Sequence, residues 1–215
     1  DRLYPEAVRV FSGTVNKNVK KFMALYKDLL SIKTARDIDL NAVQGLVLVD
    51  TASPHRLAQL TPVLGNKNLD IHIYDHHPAT EDDLAGSLTE IHPVGAATTI
   101  LVEKIMAQNI PISPFEATIY ALGIYDDTGS LLFTSTTARD AGAVAYLLGR
   151  GANLSVVGNF LEKPFSEEQR HILYKLLEGS VHYKIKDLDV VLARYEGSAF
   201  VPGLDLVTYR LFEME

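Results

Sequence analysis

Length, composition and charge place the chain among ordinary globular proteins. It has 215 residues, 47% of them hydrophobic and 22% charged, and 27 acidic against 20 basic residues give a net charge of −7. These values exclude disorder, collagen and coiled-coil arrays for the whole chain, and they disfavour a general basic nucleic-acid coat. The absence of cysteine excludes disulfides, zinc–thiolate sites and iron–sulfur clusters. No apolar run approaches the roughly 18 residues that span a bilayer, and no secretory signal is evident, so the expected location is cytoplasmic.

The first three quarters of the chain alternate predicted strands with predicted helices. Such alternation predicts an α/β fold with a doubly wound, mainly parallel sheet. The predicted strands are Ala7–Phe11, Gly45–Asp50 and Asp70–Tyr74, and the predicted helices are Asn18–Leu30, His55–Leu60, Gly95–Gln108, Pro114–Tyr125 and one from the cap at Thr136/Thr137 through Leu148.

A change of composition near Lys163-Pro164 predicts a domain boundary. Residues 1–163 would form the first domain, and residues 164–215 a linker helix and the beginning of a smaller α+β domain. The second part is predicted to hold a helix from Ser166 to about Glu178 and a hairpin of Val181–Ile185 with Asp189–Ala193.

The two ends of the chain suggest a piece of a longer protein. The chain opens at Asp1 without a methionine and closes in the apolar-periodic stretch Leu204–Phe212. We therefore expect function to depend partly on residues outside this sequence.

Polar side chains that can bind metal follow three predicted elements. Asp50 ends one strand, Asp75-His76-His77 ends the next, and Asp127 follows an apolar helix. Ligand sites of open parallel sheets lie outside the carboxyl ends of the strands, so these residues are expected at one edge of the sheet. Carboxylate and imidazole ligands without thiolates suit Mn²⁺, Mg²⁺ or Fe²⁺. Two such ions can clamp a phosphoryl group and activate a water molecule.

Each of these residues also has a purely structural interpretation. A single Asp at a strand end is usually a cap or turn residue, and a turn is the favoured interpretation of Asp126-Asp127-Thr128-Gly129 taken alone. Adjacent histidines after an Asp are harder to explain structurally, because neighbouring strand positions point in opposite directions. The isolated histidines are structural by default: His55, His72, His92, His171 and His182.

Three motifs together resemble the DHH phosphoesterase superfamily. They are Val49-Asp50, Asp75-His76-His77-Pro78 and the run from Gly123 to Gly129, in that order. The superfamily includes single-strand exonucleases, oligoribonucleases, cyclic-dinucleotide phosphodiesterases and family II inorganic pyrophosphatases. The resemblance covers roughly Ala7 to Phe165. The runs Arg2–Pro5, Val8–Phe11 and Thr134–Asp140 look most like a sub-branch in which the DHH region precedes CBS domains and a tRNA nucleotidyltransferase or poly(A) polymerase-type module.

The resemblance implies a role for each matching residue. Asp50, His76 and Asp127 match metal ligands, and the family site holds two Mn²⁺ or Mg²⁺ ions. His77 matches the neighbour that contacts the substrate phosphate, and Asp75 the carboxylate that supports the histidines. The implied chemistry is attack of metal-activated hydroxide on phosphorus.

Two features of the superfamily are missing from this sequence. Its first motif, a His followed by D-x-D, has no match before Val8, and no Gly-Gly-Gly-His run occurs. The missing first motif would carry three further metal ligands and the central strand of the sheet.

We therefore expect a fragment of a metal-dependent phosphoesterase acting on a nucleotide, an oligonucleotide or a phosphoanhydride. The expected partners are a nucleotide or short RNA or DNA, and tRNA in the full-length protein, with no membrane. A non-catalytic regulatory or RNA-positioning module is an open alternative, as is a homodimer formed through the hairpin or the terminal helix. A nucleotidyltransferase pattern, Gly179-Ser180 with Asp187-Leu188-Asp189, is disfavoured because the gap is too short for the required helix.

Overall fold

The computed structural model describes residues 2–11, 22, 26, 30–161, 165–186, 188–197 and 201–214. They fall into two compact units, Asp1–Leu161 and Glu162–Glu215. The strands are β1 (Val10–Phe11), β2 (Lys33–Thr34), β3 (Gly45–Val49), β4 (Asp70–Asp75), β5 (Leu88–Ile91), β6 (Val181–Ile185) and β7 (Leu188–Leu192). The α-helices are α1 (Ala97–Ala107), α2 (Pro114–Asp127), α3 (Ala138–Gly149), α4 (Leu154–Phe160), α5 (Glu167–Glu178) and α6 (Leu204–Met214).

The first unit contains a parallel sheet of three strands in the order β3-β4-β5. Its register pairs Val49 with Tyr74 and Asp75 with Ile91. Ile73 and Tyr74 of β4 are almost completely buried in two different apolar clusters. Because neighbouring strand residues point to opposite faces, both faces of the sheet are covered. The predicted α/β class with a mainly parallel sheet is confirmed.

Helices α1 to α4 share an apolar core that flanks the sheet. Leu147 and Ile124 are fully buried there, and small residues such as Ala117 and Ala121 allow the helices to approach closely. Ser113 begins α2 and Thr137 begins α3, each with an acidic residue three positions later that completes a capping box. The helix predicted to begin at Thr136/Thr137 is confirmed.

Several elements differ from their predicted form. The strand expected over Ala7–Phe11 is confined to Val10–Phe11. The short helix expected over His55–Leu60 is a longer 3₁₀ helix, Pro54–Gly65, broken at Ala58, where φ is +47°. The sequence patterns indicated neither β5 nor α4. Of the helix predicted over Asn18–Leu30, only Phe22, Tyr26 and Leu30 are described, and these three are helical.

The second unit contains a helix, a hairpin and a further helix. Ser166 caps α5 with Gln169 in a capping box, and β6 pairs with β7 in antiparallel register. The residues after Gly179-Ser180 are therefore a strand and not the helix that a nucleotidyltransferase pattern requires. Asp187, the first acidic residue of that pattern, lies outside the described residues. No helix in the described part of the chain has the length and apolar character needed to cross a membrane.

Candidate metal site

Asp50 turns the chain away from the sheet directly after β3. Its N–H donates to the Tyr74 carbonyl oxygen at 2.9 Å, which continues the ladder, but its φ of +67° is left-handed. Asp is one of the few residues besides glycine that adopt this conformation readily. The side chain is about half exposed, so its carboxylate lies accessible at the carboxyl end of the sheet.

Asp75 is the last residue of β4, and the residue is 4% exposed. Its Oδ1 accepts hydrogen bonds from the N–H of His76 at 2.7 Å, from the N–H of His77 at 3.2 Å and from Nδ1 of His77 at 2.7 Å. A carboxylate with three donors fixes both the backbone turn and one imidazole ring. Asp75 therefore fixes the backbone of both histidines and the ring of His77.

The His76 ring lies between a backbone carbonyl and a carboxylate. Its Nδ1 is 3.0 Å from the Val94 carbonyl oxygen, and its Nε2 is 3.2 Å from Oδ1 of Asp50. A carbonyl oxygen can only accept, so Nδ1 carries the proton in this contact. Nε2 is then the atom available to bind a metal ion. The His77 ring lies beside it, with the ring centres 4.4 Å apart, and is more exposed.

Four predicted site residues converge on one point. Asp50, Asp75, His76 and His77 each contribute a potential ligand atom, and these four atoms lie within 4.8 Å of one another. Three come from the end of β4 and one from the end of β3, as the strand-end argument predicted. The donor set of carboxylate oxygens and imidazole nitrogens suits a hard or borderline divalent cation.

Asp127 is the last residue of α2. The turn that was favoured for Asp126-Asp127-Thr128-Gly129 taken alone therefore does not include Asp127, which is helical. The helix ends at Thr128, whose Oγ1 donates to the Ile124 carbonyl oxygen. Gly129 and the two residues that follow it have left-handed φ values of +54°, +63° and +67°. Asp127 is not among the four converging residues, but its carboxyl interacts electrostatically with Asp50, His76 and His77.

The carboxyls of Asp50 and Asp127 have pKa values above their ordinary value. Burial, and next the Asp50 carboxylate, raise the pKa of Asp127 to about 6, while His76 and His77 oppose this shift. Burial also raises the pKa of Asp50, against the opposing effect of the same two histidines. Partly desolvated carboxyls that repel one another are stabilised when a cation binds between them.

One contributor to the site could not be found from sequence. The Val94 carbonyl oxygen bonds to His76, and it belongs to the backbone of a loop after the unpredicted strand β5. Backbone acceptors leave no signal in residue type. No other feature of the sequence near Val94 indicated this contact.

Comparisons with known proteins support the resemblance over the whole chain. The A-adding tRNA nucleotidyltransferase of Geobacter sulfurreducens is 35% identical over 215 residues, which cover 100% of this chain and 24% of that protein. The A-adding tRNA nucleotidyltransferase of Aquifex aeolicus is 32% identical over 214 residues, covering 100% and 25%. The chain thus spans about a quarter of the length of these relatives. No family model matches the chain.

Two solved structures share the fold at low sequence identity. An exopolyphosphatase-related protein from Bacteroides fragilis has a TM-score of 0.59 and 14% identity, covering 81% of this chain and 52% of its own. A candidate family II inorganic pyrophosphatase from Methanococcus jannaschii has a TM-score of 0.60 and 14% identity, covering 99% and 70%. The chain therefore shares the fold of these two proteins.

Proposed function

We propose that the chain is the metal-binding part of a metal-dependent phosphoesterase of the DHH class. Its substrate would be a nucleotide, an oligonucleotide or a phosphoanhydride, cleaved by hydrolysis with two Mn²⁺ or Mg²⁺ ions. The observation that carries the proposal is the convergence of Asp50, Asp75, His76 and His77 at the carboxyl edge of a parallel sheet. The parent would be a longer tRNA nucleotidyltransferase or poly(A) polymerase-like protein.

In this proposal the site residues have three different roles: metal binding, positioning of the histidines and contact with the substrate phosphate. Asp50 and His76 offer ligand atoms that already face each other at 3.2 Å, and Asp127 contributes a further carboxylate. Asp75 is buried and engaged by three hydrogen bonds, so it positions the histidines. His77 donates Nδ1–H to Asp75 and is the most exposed of the histidine pair, so its Nε2 would contact a substrate phosphate.

The chemistry follows from this donor set. Bound divalent ions lower the pKa of a coordinated water molecule and offset charge on the phosphoryl oxygens. The residues of the chain supply orientation: Asp75 fixes the turn, and the Val94 carbonyl keeps the proton of His76 on Nδ1. The first motif of the superfamily would come from residues outside this sequence, because no match to it precedes Val8.

A second candidate is a non-catalytic module that positions RNA or binds a nucleotide. One observation favours it: the described residues contain a single group of possible metal ligands, Asp50, Asp75, His76 and His77. A site with fewer ligands would bind one metal ion without assembling the pair needed for hydrolysis. In the full-length protein such a module would help to hold tRNA. A homodimer remains a prediction.

The test is calorimetric titration of Mn²⁺ into this chain and into a longer chain with the preceding sequence of the parent. We expect His76→Ala and Asp127→Asn to abolish binding without loss of the folded state. Asp70→Asn is the matched control, because Asp70 begins β4 and lies at the opposite end of the same strand. Unchanged Mn²⁺ binding in both site variants would refute the assignment.

Hydrolysis separates the two candidate functions. Both chains are incubated with Mn²⁺ and either inorganic pyrophosphate or a short single-stranded oligonucleotide. Product formed by the longer chain, and lost in its His76→Ala variant, supports the phosphoesterase. Mn²⁺ binding without hydrolysis in either chain favours the non-catalytic module.

A further inference from the structure

The peptide group between Val94 and Gly95 is hydrogen-bonded at both ends. Its carbonyl oxygen is 3.0 Å from Nδ1 of His76, and its N–H donates to Oδ2 of Asp140 at 2.9 Å. A peptide group is planar and rigid, so fixing one end fixes the other. A single peptide therefore connects a carboxylate at the start of α3 to a candidate metal ligand at the end of β4.

Asp140 is a fully buried carboxylate with more partners than a helix cap requires. Thr137 donates to Oδ2 from both its N–H and its Oγ1, each at 2.7 Å, which completes the capping box of α3. Gly95 adds a third bond to Oδ2, and Thr99 donates to Oδ1 at 2.6 Å. Burial raises the pKa of Asp140, but these hydrogen bonds outweigh it, so the pKa lies below its usual range. The carboxylate is ionised and aimed at the peptide.

The same peptide is confined on its other side. A Cβ atom at Gly95 would lie 2.5 Å from Cγ2 of Thr128 and 3.0 Å from Oδ2 of Asp140. Thr128 is itself buried and directly follows Asp127. Glycine is thus the residue that lets the peptide sit between Asp140 and the end of α2. The hydrogen bonds and the close contacts together restrict the orientation of the Val94–Gly95 peptide.

We propose that Asp140 is a positioning residue of the candidate metal site. It orients and polarises the Val94–Gly95 peptide, so that the Val94 carbonyl holds the proton of His76 on Nδ1 and leaves Nε2 for the metal ion. Hydrogen bonds in a chain strengthen one another, and a carboxylate on the N–H makes the carbonyl a better acceptor. Groups that orient a metal-binding histidine from behind tune its affinity for the metal. This inference rests on the proposed function of the site.

The direct readout is the Nδ1 proton of His76, observed by ¹⁵N-edited NMR on the metal-free chain. In the wild type, Nδ1 should carry a proton that exchanges slowly with solvent. Asp140→Ala removes the carboxylate, so this proton should shift upfield and exchange faster. Asp140→Asn keeps the shape of the side chain without its charge, so its effect should be smaller and in the same direction. An unprotonated Nδ1 in the wild type would overturn the proposal without any variant.

Two control variants separate positioning from helix capping. Thr137→Val removes one hydrogen bond of the same capping box but leaves the bond between Asp140 and Gly95. Arg139 precedes Asp140 on α3, and Arg139→Gln breaks its ion pair with Glu103 of α1. Neither control should move the Nδ1 proton. If Thr137→Val moves it as far as Asp140→Ala does, Asp140 acts only through the cap and the proposal fails.

Mn²⁺ titration of the same variants separates this inference from the proposed function. We expect Asp140→Ala to weaken Mn²⁺ binding about tenfold, the lower end for residues that orient metal ligands. If wild type and variant bind Mn²⁺ equally and share the same Nδ1 signal, the inference fails and the metal site stands. If the wild type binds no Mn²⁺, neither as this chain nor with the preceding sequence of the parent, the proposed function fails, and with it the role of Asp140 at a metal site.

Discussion

At Asp127 the requirements of folding and of metal binding oppose each other. Burial and the Asp50 carboxylate raise the pKa of Asp127 from 3.8 to about 6. The folded metal-free chain therefore binds a proton there more tightly than the unfolded chain does. Its stabilising effect is complete below pH 3.8 and is lost as the pH rises through about 6. At neutral pH the Asp127 carboxylate is ionised, which destabilises the metal-free fold. The ionised form is also the one that would bind a cation.

Replacing Asp127 with Asn should therefore stabilise the metal-free chain while it removes a proposed ligand. We expect the Tm of Asp127→Asn, measured in EDTA between pH 7 and 8, to exceed that of the wild type by roughly 1–3 °C. The gain should vanish near pH 4, where both side chains are neutral. Asp70→Asn removes a carboxylate at the other end of β4 and should give no gain. A lower Tm for Asp127→Asn at neutral pH would contradict this assignment of the electrostatics.

Single residues also show what sequence could predict about the site. Asp75-His76-His77 was informative because three ligand-type residues in a row at a strand end have few structural explanations. Asp50 was weaker alone, because a single Asp at a strand end is usually a cap or turn residue. The Val94 carbonyl and the bond from Gly95 to Asp140 join segments distant in sequence. Such contacts depend on tertiary packing, so local patterns could not predict them.

At the scale of elements, the predictions succeeded where the signal is local. Helices α3 and α5 begin at the predicted caps, because a capping box is formed by four consecutive residues, as in Ser166 to Gln169. The four residues of β5 are too few to show a period, and the 3₁₀ helix Pro54–Gly65 does not follow the α-helical repeat. These elements are formed by their contacts with the sheet.

The Glu116 carboxylate, which belongs to the capping box of helix α2, also binds Arg2 near the start of the chain. Arg2 donates to Glu116 through Nε at 2.6 Å and Nη2 at 2.9 Å, and Glu116 also accepts from Ser113 in the capping box. The Arg2 guanidinium first, and then the hydrogen bonds from Ser113, lower the pKa of Glu116 from 4.5 to about 2 against the effect of burial. A lowered pKa stabilises the fold above pH 4.5, and this contribution is lost as the pH falls through about 2.

Glu116→Gln should therefore destabilise the fold at neutral pH and make its Tm depend less on pH in the acid range. We expect its Tm at pH 7 to fall by roughly 2–4 °C, the effect of a lost cap in a chain of this length. Below pH 4.5 the wild type and the variant should converge. Glu103→Gln is the matched control, because Glu103 forms the same two-bond pair with Arg139 but caps no helix. Thermal unfolding followed by circular dichroism between pH 7 and about 2.5 measures both.

At the scale of the whole molecule, every residue of the candidate site belongs to the first unit. Asp50, the Asp75–His77 triplet, Asp127 and Asp140 all lie within Asp1–Leu161. The three apolar clusters around the sheet and helices α1 to α4 also lie in that unit, and a separate cluster around Ile172, Leu176 and Val207 stabilises the second. Each unit thus has an apolar core of its own, as independent folding requires.

Residues 1–161 should therefore fold and bind Mn²⁺ without the second unit. We expect the shortened chain to unfold cooperatively on heating and to match the Mn²⁺ affinity of the 215-residue chain within about twofold, because distant, independent sites contribute additively. Its His76→Ala variant is the control for specific binding. A folded chain of residues 1–161 that lost Mn²⁺ binding would show that residues 162–215 supply a ligand. The site would then need the second unit as well as the carboxyl edge of the sheet.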